Sequence, residues 1–518
     1  MKRLILLCSA IVFSLNNFAQ VTWANDAAQV FFNNCTECHN SEGIAPNSLV
    51  TYTEAQNYGP LIQTYVQNGV MPPWTADTSY AHYSQERILS QNEKDIILDW
   101  ISDGMLEGDA NQTPPAPVYA NEQLLSGVPD LTVTAPNYMS KATASSDDYV
   151  CFAIPSGLTE GRKVKAFEVI PGNRQTVHHC LVYSDDTGWA QTDTSGDCAG
   201  PVTAELMGGY TPGATPTIFP ATANFSSGMT ISAGSDIVLA MHYPAGSYGE
   251  FDQTKVNFYF YEDPVVNFRP VACDPIISDW SFNIPAATFD SVEVVDNSVT
   301  SDVTMLSVFP HMHLLGDYIE SYGVTPLDDT LNFSRIPQWD FDWQDFYWFE
   351  YMKKIPAGTA LHGKGIYNNT VTNPHNPNNP PLDVGAGLNT SDEMFLIYFH
   401  YMAYETGDEF INVDSLTTEF LSSGGIEKEQ TFIQTYPNPF ENSTSIVYAL
   451  DKSAFVSVFI YDMQGRLTRK LARENQMAGT YKLEWDGTNE NGHEVTSGAY
   501  FYSVMVDGVS YTGKLIKR

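Results

Sequence analysis

The spacing of apolar and polar positions divides the chain into three textures. From Trp23 to Gly108 the apolar residues recur at helical spacing. "AAQVFFNNC" opens this stretch, "GPLIQTYVQNGV" continues it, and "SQNEKDIILDWISDGM" begins with Ser90 as a cap and Glu93 three residues on. The polar, proline-bearing run "EGDANQTPPAPVYANE" follows and reads as a linker. From Pro129 to about Asp414 the pattern becomes short alternating runs, such as "VKAFEVIP", "DIVLAMHYPAG" and "KVNFYFYEDP", bounded by Gly, Pro, Asn and Asp. A second polar stretch, "LSSGGIEKEQ", introduces a strand-rich tail. The pattern predicts a multidomain, mainly β protein. It has a small all-α head over 22–110, a linker at 111–129, β-sandwiches over 130–280 and 281–415, a linker at 416–430 and a β-sandwich tail over 431–518.

The first residues have a different character. Lys2 and Arg3 precede an apolar run from Leu4 to Leu15 that is shorter than a membrane span, so residues 1–20 read as a cleaved signal peptide and the protein as exported. No later segment is long and apolar enough to read as transmembrane. The chain has 25 basic and 61 acidic residues, a formal charge of -36, which disfavours nucleic acid and anionic lipid as partners. Of seven cysteines, Cys8 leaves with the signal peptide and Cys35 and Cys38 form a close pair. Cys151, Cys180, Cys198 and Cys273 allow three pairings, and an oxidising compartment makes two disulfides the expectation.

"CTECH", Cys35 to His39, has the C-x-x-C-H spacing for covalent haem attachment: two thiols for the vinyl groups and an adjacent imidazole for the iron. The same residues could form a disulfide or half of a zinc site, although no second C-x-x-C is present to complete the latter. In "NGVMPPW", Met71 is followed by Pro72 and Pro73, whose fixed φ restricts its movement. With "IAPNSLVTYTEA" and "MPPW", the head resembles small class I cytochrome c domains. That resemblance implies one covalently bound haem c on Cys35 and Cys38, with His39 as proximal and Met71 as distal ligand.

Five of the 11 histidines lie in three strand-like motifs: His178 and His179 in "QTVHHCLVY", His242 in "VLAMHYPAG", and His311 and His313 in "FPHMHLLG". On a strand His311 and His313 project to one side, where they could share a metal or simply be hydrogen-bonded in a half-buried sheet. Met394 in "SDEMFLIYFHYM" adds a thioether, and imidazole with thioether suits copper. His178 and His179 should face opposite ways on a regular strand, so joint ligation requires a bulge, a strong twist or a strand end. In "EMFLIYFHY", Phe395, Ile397 and Phe399 form a core stripe, which turns Met394, Leu396, Tyr398 and His400 to the other face. That second face either lines a pocket or is buried against a neighbour.

The order HH, M-H-Y, H-x-H-x-x-G, D-E-M resembles the copper type II, ascorbate-dependent monooxygenases, the family of peptidylglycine and dopamine β-hydroxylases. The resemblance implies two jelly-roll-like sandwiches, each holding one copper across a solvent-filled cleft. Carried over, His178, His179 and His242 hold the electron-storing copper, while His311, His313 and Met394 hold the copper at which dioxygen is activated. Tyr398 matches a further site residue of the family. Phe309 stands where the peptide hydroxylases have an arginine that grips the substrate carboxylate, and Leu396 where they have an asparagine, which argues against a peptide C-terminus as substrate. Cys151 and Cys198 occupy places like those of a family disulfide. The aromatics of "QWDFDWQDFYWFEYMKK" read as packing, and His362 and His375 stay unassigned.

In the tail, "YPNPF", "DMQGRLTRKL", "SGAYFYSV" and "GKLIKR" resemble the type A sorting domain of the type IX secretion system, with an adhesive Ig-like domain as the alternative. Together these readings predict a secreted or cell-surface copper monooxygenase. It would use two copper ions, one haem c, O2, a small-molecule or peptide-like organic substrate and an external donor (ascorbate or a redox protein), and be exported by the type IX machinery. The alternative is a non-catalytic haem and copper protein that transfers electrons or binds copper at the surface.

Overall fold

The computed structural model describes residues 20–417 and 433–518, apart from 42, 44, 118–123, 145, 199, 202, 223, 437, 441, 451–453, 463–465, 478, 491 and 507–508. The expected signal peptide up to Ala19 and the second linker from 418 onward lie outside the described residues. The chain forms two compact units, one ending at Gly424 and the other beginning at Gly425.

In the head, a π-helical turn (Trp23–Ala27) runs into the helix Ala28–Asn34, and helices Tyr52–Asn57, Gly59–Gln67 and Gln91–Ser102 follow. Two of them start as their sequences dictate. The Thr51 and Ser90 hydroxyls accept the N–H of Glu54 and Glu93, whose carboxylates reach back to the cap N–H. Each box satisfies two backbone donors that a helix start leaves open. The apolar faces close on Trp23, Phe31 and Trp100, with ring centroids 5.1 to 5.7 Å apart.

The helical pattern is not followed between Trp74 and Arg87. The preceding helix ends at Gln67, Pro72 and Pro73 keep it from resuming, and this stretch leaves the head and packs into the second sandwich. Tyr83 is 2% exposed in that sandwich's core and donates its hydroxyl to the Phe333 carbonyl at 2.9 Å. Thr75 bonds the Tyr347 hydroxyl at 2.8 Å, and Asp77 pairs with Arg335 at 2.6 Å. A loop of the head is thereby built into the core of its neighbour, which clamps the helices in place.

In the first sandwich, one sheet orders the strands Asp193–Gly196, Asp148–Pro155, Asp236–Tyr243, His179–Asp185 and Glu205–Tyr210. The facing sheet is built on Leu131–Thr134, Lys255–Phe260, Arg162–Ile170 and Ser226–Ile231. The chain crosses to the second sandwich between Pro270 and Ala272. There Ala272–Asp279, Phe395–Ala403, Val303–His311 and Tyr347–Ile355 form one sheet, and Thr288–Asp296, Ala360–Asn369, Gly316–Val324 and Thr330–Ile336 the other. Cys151 and Cys198 are joined in a disulfide, whereas Cys180 and Cys273 are buried free thiols, so one bridge forms among these four rather than two.

The strand Phe395–Ala403 shows how the sandwiches join. Phe395, Ile397 and Phe399 fill the second sandwich's own core. Tyr398 and Met402, on the opposite face, pack into a core shared with Phe167, Val182 and Met207 of the first. Both faces are therefore buried. His400, fully buried, accepts from the Ser307 hydroxyl through Nδ1 at 2.7 Å and donates Nε2–H to the Met207 carbonyl at 3.1 Å. It is a satisfied histidine joining the two domains.

The tail has its own core around Tyr448, Trp485 and Leu515, between a three-stranded and a four-stranded sheet. Among the described residues no helix is long and apolar enough to cross a membrane.

Candidate metal centres

His242 lies near the end of Asp236–Tyr243 and is paired across the ladder with His179, the first residue of His179–Asp185. His178 falls just before that strand, its N–H donated to the His242 carbonyl at 3.0 Å. The adjacent pair is thus freed from strand alternation by the strand end, and the three rings converge. Their ligand atoms all lie within 4.8 Å of one another, and the Nδ1 of His179 is 3.3 Å from the Nδ1 atoms of both His178 and His242. A metal bound to imidazole nitrogens at about 2.0–2.1 Å with near-tetrahedral angles separates those nitrogens by about 3.3 Å, so the three residues fit one ion. Burial, followed by the neighbouring imidazoles, lowers the pKa of His179, and burial lowers His242 to about 4. The His179 and His242 rings therefore stay neutral with lone pairs available. On the outer side, His242 Nε2 faces Asp147 at 3.6 Å and His178 Nε2 faces Asp342 at 3.9 Å, carboxylates suited to orienting ligand rings. Tyr149 stacks on His242 at 4.3 Å and 5°.

The second set is built on the neighbouring sandwich. His311 ends the strand Val303–His311, and His313 follows two residues on with its ring 5.1 Å away. Each has its tautomer set by hydrogen bonding. His313 Nδ1 donates to the Asp392 carbonyl at 3.1 Å. His311 Nδ1 meets Gln344 Oε1 at 2.6 Å, and the Gln344 amide nitrogen donates to the Phe341 carbonyl, so the ring nitrogen is the donor. Both Nε2 atoms keep their lone pairs. Burial lowers His311 to about 3 and His313 to about 4. His311 pairs with Leu396, and Met394, also buried, lies just before the start of that partner strand.

A fully buried carboxylate fixes this arrangement. Glu393 accepts the backbone N–H of His313 at 2.9 Å, Leu315 at 2.6 Å and Met394 at 3.2 Å, tying both ligand segments to one side chain. Burial pushes its carboxyl up to about 8 against the pull of these donors. Gly316 has a related role: a Cβ there would lie 2.5 Å from the Trp339 ring, whose Nε1–H donates to the His313 carbonyl at 3.1 Å. Tyr398 lies deeper in the shared core, 5.7 Å from Phe309, which stacks on Phe346 at 4.4 Å.

The segment between Ile336 and Tyr347 crosses between the two sets. Phe341 stacks on His178 at 4.7 Å and 16°, and meets His313 edge-on at 5.9 Å. A single benzene ring thus lies between the imidazoles of one domain and those of the other, where an open solvent-filled cleft was expected. These aromatics and polar residues do more than pack: Trp339, Phe341, Asp342 and Gln344 all contact ligand histidines or their backbone. A sequence clue was available in "WDFDWQDF", where acidic residues and Gln alternate with rings. Sequence reasoning also missed the roles of Asp147 and Glu393: Glu393 adjoins Met394 in D-E-M, whereas Asp147 has no histidine motif near it in the chain.

In the head, Cys35 and Cys38 are free thiols, pushed up to about 12 and about 11 by burial. His39 Nδ1 donates to the Asn47 carbonyl at 2.9 Å, leaving Nε2 as an available ligand atom, as a haem-attachment motif requires. Met71 follows the helix Gly59–Gln67, at the point where the chain departs for the second sandwich. His362 stacks on Tyr322 at 4.8 Å, on the sheet formed by Gly316–Val324 and Ala360–Asn369.

Residues 284–419, which include the second ligand set, match the family described as copper type II ascorbate-dependent monooxygenase, C-terminal domain. The tail, over 440–509, matches the FlgD Ig-like domain. The chain thus carries a domain of a copper-dependent monooxygenase-like family and an Ig-like domain. No curated protein matches it. Among solved structures it is similar to PorZ, a surface component of the type IX secretion system of Porphyromonas gingivalis, at 18% identity over 24% of this chain and 15% of that one, TM-score 0.14. Dimeric latent PorU from the same organism shares 11% over 72% and 34% of the two chains, TM-score 0.16. The VP2 subviral particle of infectious bursal disease virus shares 8% over 58% and 77%, TM-score 0.16. At these TM-scores the likenesses do not define a common fold.

Proposed function

We propose that this chain is an exported copper monooxygenase that places one atom of O2 into a C–H bond of an organic substrate and delivers the other to water. It would take its electrons from an external donor, ascorbate or a redox protein, through a haem c in the head. The observation that carries this reading is the convergence of the His178, His179 and His242 ligand atoms within 4.8 Å of one another, with a second close imidazole pair, His311 and His313, on the neighbouring sandwich. Copper bound at these points supplies the one-electron chemistry that activation of O2 requires.

The chain's own residues have separable roles. His178, His179 and His242 offer three converging nitrogens, two of the separations being 3.3 Å, a set that would hold an ion through a change of charge. His311, His313 and Met394 would hold the second ion, and a set of three ligands would leave room for O2 beside it. Asp147, Asp342, Gln344 and the Asp392 carbonyl hold the rings in orientation, and Glu393 keeps the His313 and Met394 segments together. Phe309 puts an aromatic face, not a cation, beside His311, which favours a substrate without a carboxylate to be gripped there. The Ig-like tail is read as a type A sorting domain for the type IX machinery, which with the signal peptide directs the protein to the cell surface or beyond.

Metal analysis of the mature protein tests the reading first, with two coppers and one iron per chain expected. The variant His313→Ala should then lose hydroxylation while keeping the haem spectrum and the first copper; undiminished turnover would refute the assignment. Phe341 lying between the ligand sets favours a second reading, a non-catalytic electron carrier. Substrate-dependent O2 uptake separates the two.

A further inference from the structure

A cleft of about 750 Å³, counting its open mouth, lies where the head meets the first sandwich. Glu37 and Cys38 line it from the head, and Phe167, Arg174, Tyr210 and Pro216 from the sandwich. The Tyr210 hydroxyl is buried without a hydrogen-bond partner, a costly condition for a polar group unless something enters beside it. Arg174 lines the same cleft as Cys38 and Tyr210, which places its charge beside both.

The cleft has a fixed position relative to the first ligand set. Tyr210 pairs across the ladder with Cys180, whose preceding residue is His179. One cross-strand pair and one peptide therefore separate the cleft from the three imidazoles. The head is also held rigidly against this cleft. Arg87 donates to the Gly213 carbonyl and pairs with Asp345 at 3.0 Å, while Tyr83 sits in the second sandwich's core.

We infer that this cleft receives the thioether edge of the haem borne by Cys38, with Tyr210 as its contact residue and the Tyr210–Cys180 pair as the connection to His179. The inference rests on the haem and copper readings above. If Cys38 bears the haem, the edge bonded to it must lie at this cleft, because Cys38 is part of its wall. The transfer served is a single electron: ferrous haem becomes ferric, cupric copper at His178, His179 and His242 becomes cuprous, and no proton or covalent bond changes hands. Arg174 beside the edge favours the less positive, ferrous state.

The full-length chain with attached haem tests this without turnover. Cu(II) is added anaerobically to copper-free, haem-reduced protein, and loss of the ferrous band is followed. Tyr210→Ala should slow haem oxidation about tenfold or more, and Tyr210→Phe, which keeps the ring, should stay within about threefold of wild type. In copper-free protein at a fixed potential, Arg174→Gln should move the ferrous-to-ferric ratio about threefold toward ferric. A Tyr210→Ala rate within about twofold of wild type, or an unchanged ratio in Arg174→Gln, overturns the inference while leaving the haem reading intact. A wild-type chain whose Cys35 and Cys38 take no haem overturns the haem reading itself, and is visible before any variant is made.

Discussion

Replacing Glu393 by Ala should destabilise the protein and empty the second ligand set while leaving the first occupied. The side chain accepts three backbone N–H groups, from His313, Leu315 and Met394, in a site with no access to water. A buried donor left without a partner costs about 1–3 kcal/mol, so three cost about 3–9 kcal/mol. Burial of the carboxyl works the other way. Its rise from 4.5 to about 8 corresponds to about 3 kcal/mol at pH 7, which the Ala variant recovers. The low end of the first range cancels against this, and the middle leaves a net loss of about 3 kcal/mol. Glu393→Gln separates the terms: it removes the ionisable group and retains one acceptor oxygen, but turns an NH2 toward a backbone donor, for a loss of about 1–3 kcal/mol. Urea unfolding of the metal-free proteins measures the order wild type, Gln, Ala. Copper content then shows whether the His311, His313 and Met394 set is lost selectively. Both variants matching or exceeding wild type in stability and copper content would mean that desolvation outweighs the three bonds, and the positioning role would be refuted.

The satisfied histidine between the sandwiches predicts acid sensitivity. Burial holds the folded His400 at about 4 against an ordinary 6.5, so its stabilisation is present above pH 6.5 and is lost as pH falls toward 4, by about 3 kcal/mol. His400→Gln should reduce the acid shift in the urea midpoint, and an unchanged shift would contradict the buried neutral ring. Tyr83→Ala removes ring contacts to Tyr347 and Phe349 and the Phe333 hydrogen bond, a loss of about 3–5 kcal/mol, and should expose the linker at 111–129 to proteolysis; cleavage at the wild-type rate would argue against the clamp. Cys151→Ser with Cys198→Ser opens a loop with a sequence separation of 47 and should lower stability by about 4 kcal/mol, measured by unfolding under oxidising conditions, with no difference from wild type as the contrary result.

Much of the organisation is legible along the chain because it is local. The capping boxes at Thr51 and Ser90 and the change from helical to alternating texture near Pro129 depend on residues a few positions apart. Strand parity correctly separates Phe395, Ile397 and Phe399 from Tyr398, but it does not say what covers the second face. That face meets another domain, and no local pattern encodes a neighbour more than a hundred residues away. The stretch from Trp74 to Arg87 was misread as helical for the same reason: its aromatic residues find their partners about 260 positions further on.

By itself, the sequence determined which histidines and which methionine stand together in short motifs, because H-H, H-x-H and D-E-M are short-range patterns. It also separated a helical head from a strand-rich tail. The tertiary structure alone decided that His178 escapes strand alternation at a strand end, that Glu393 joins His313 to Met394, that Cys180 and Cys273 remain thiols, and that Phe341 lies between the two sets. Each of these depends on the distance between segments remote in the chain, which is set by how whole sheets pack and not by the residues adjoining the motif.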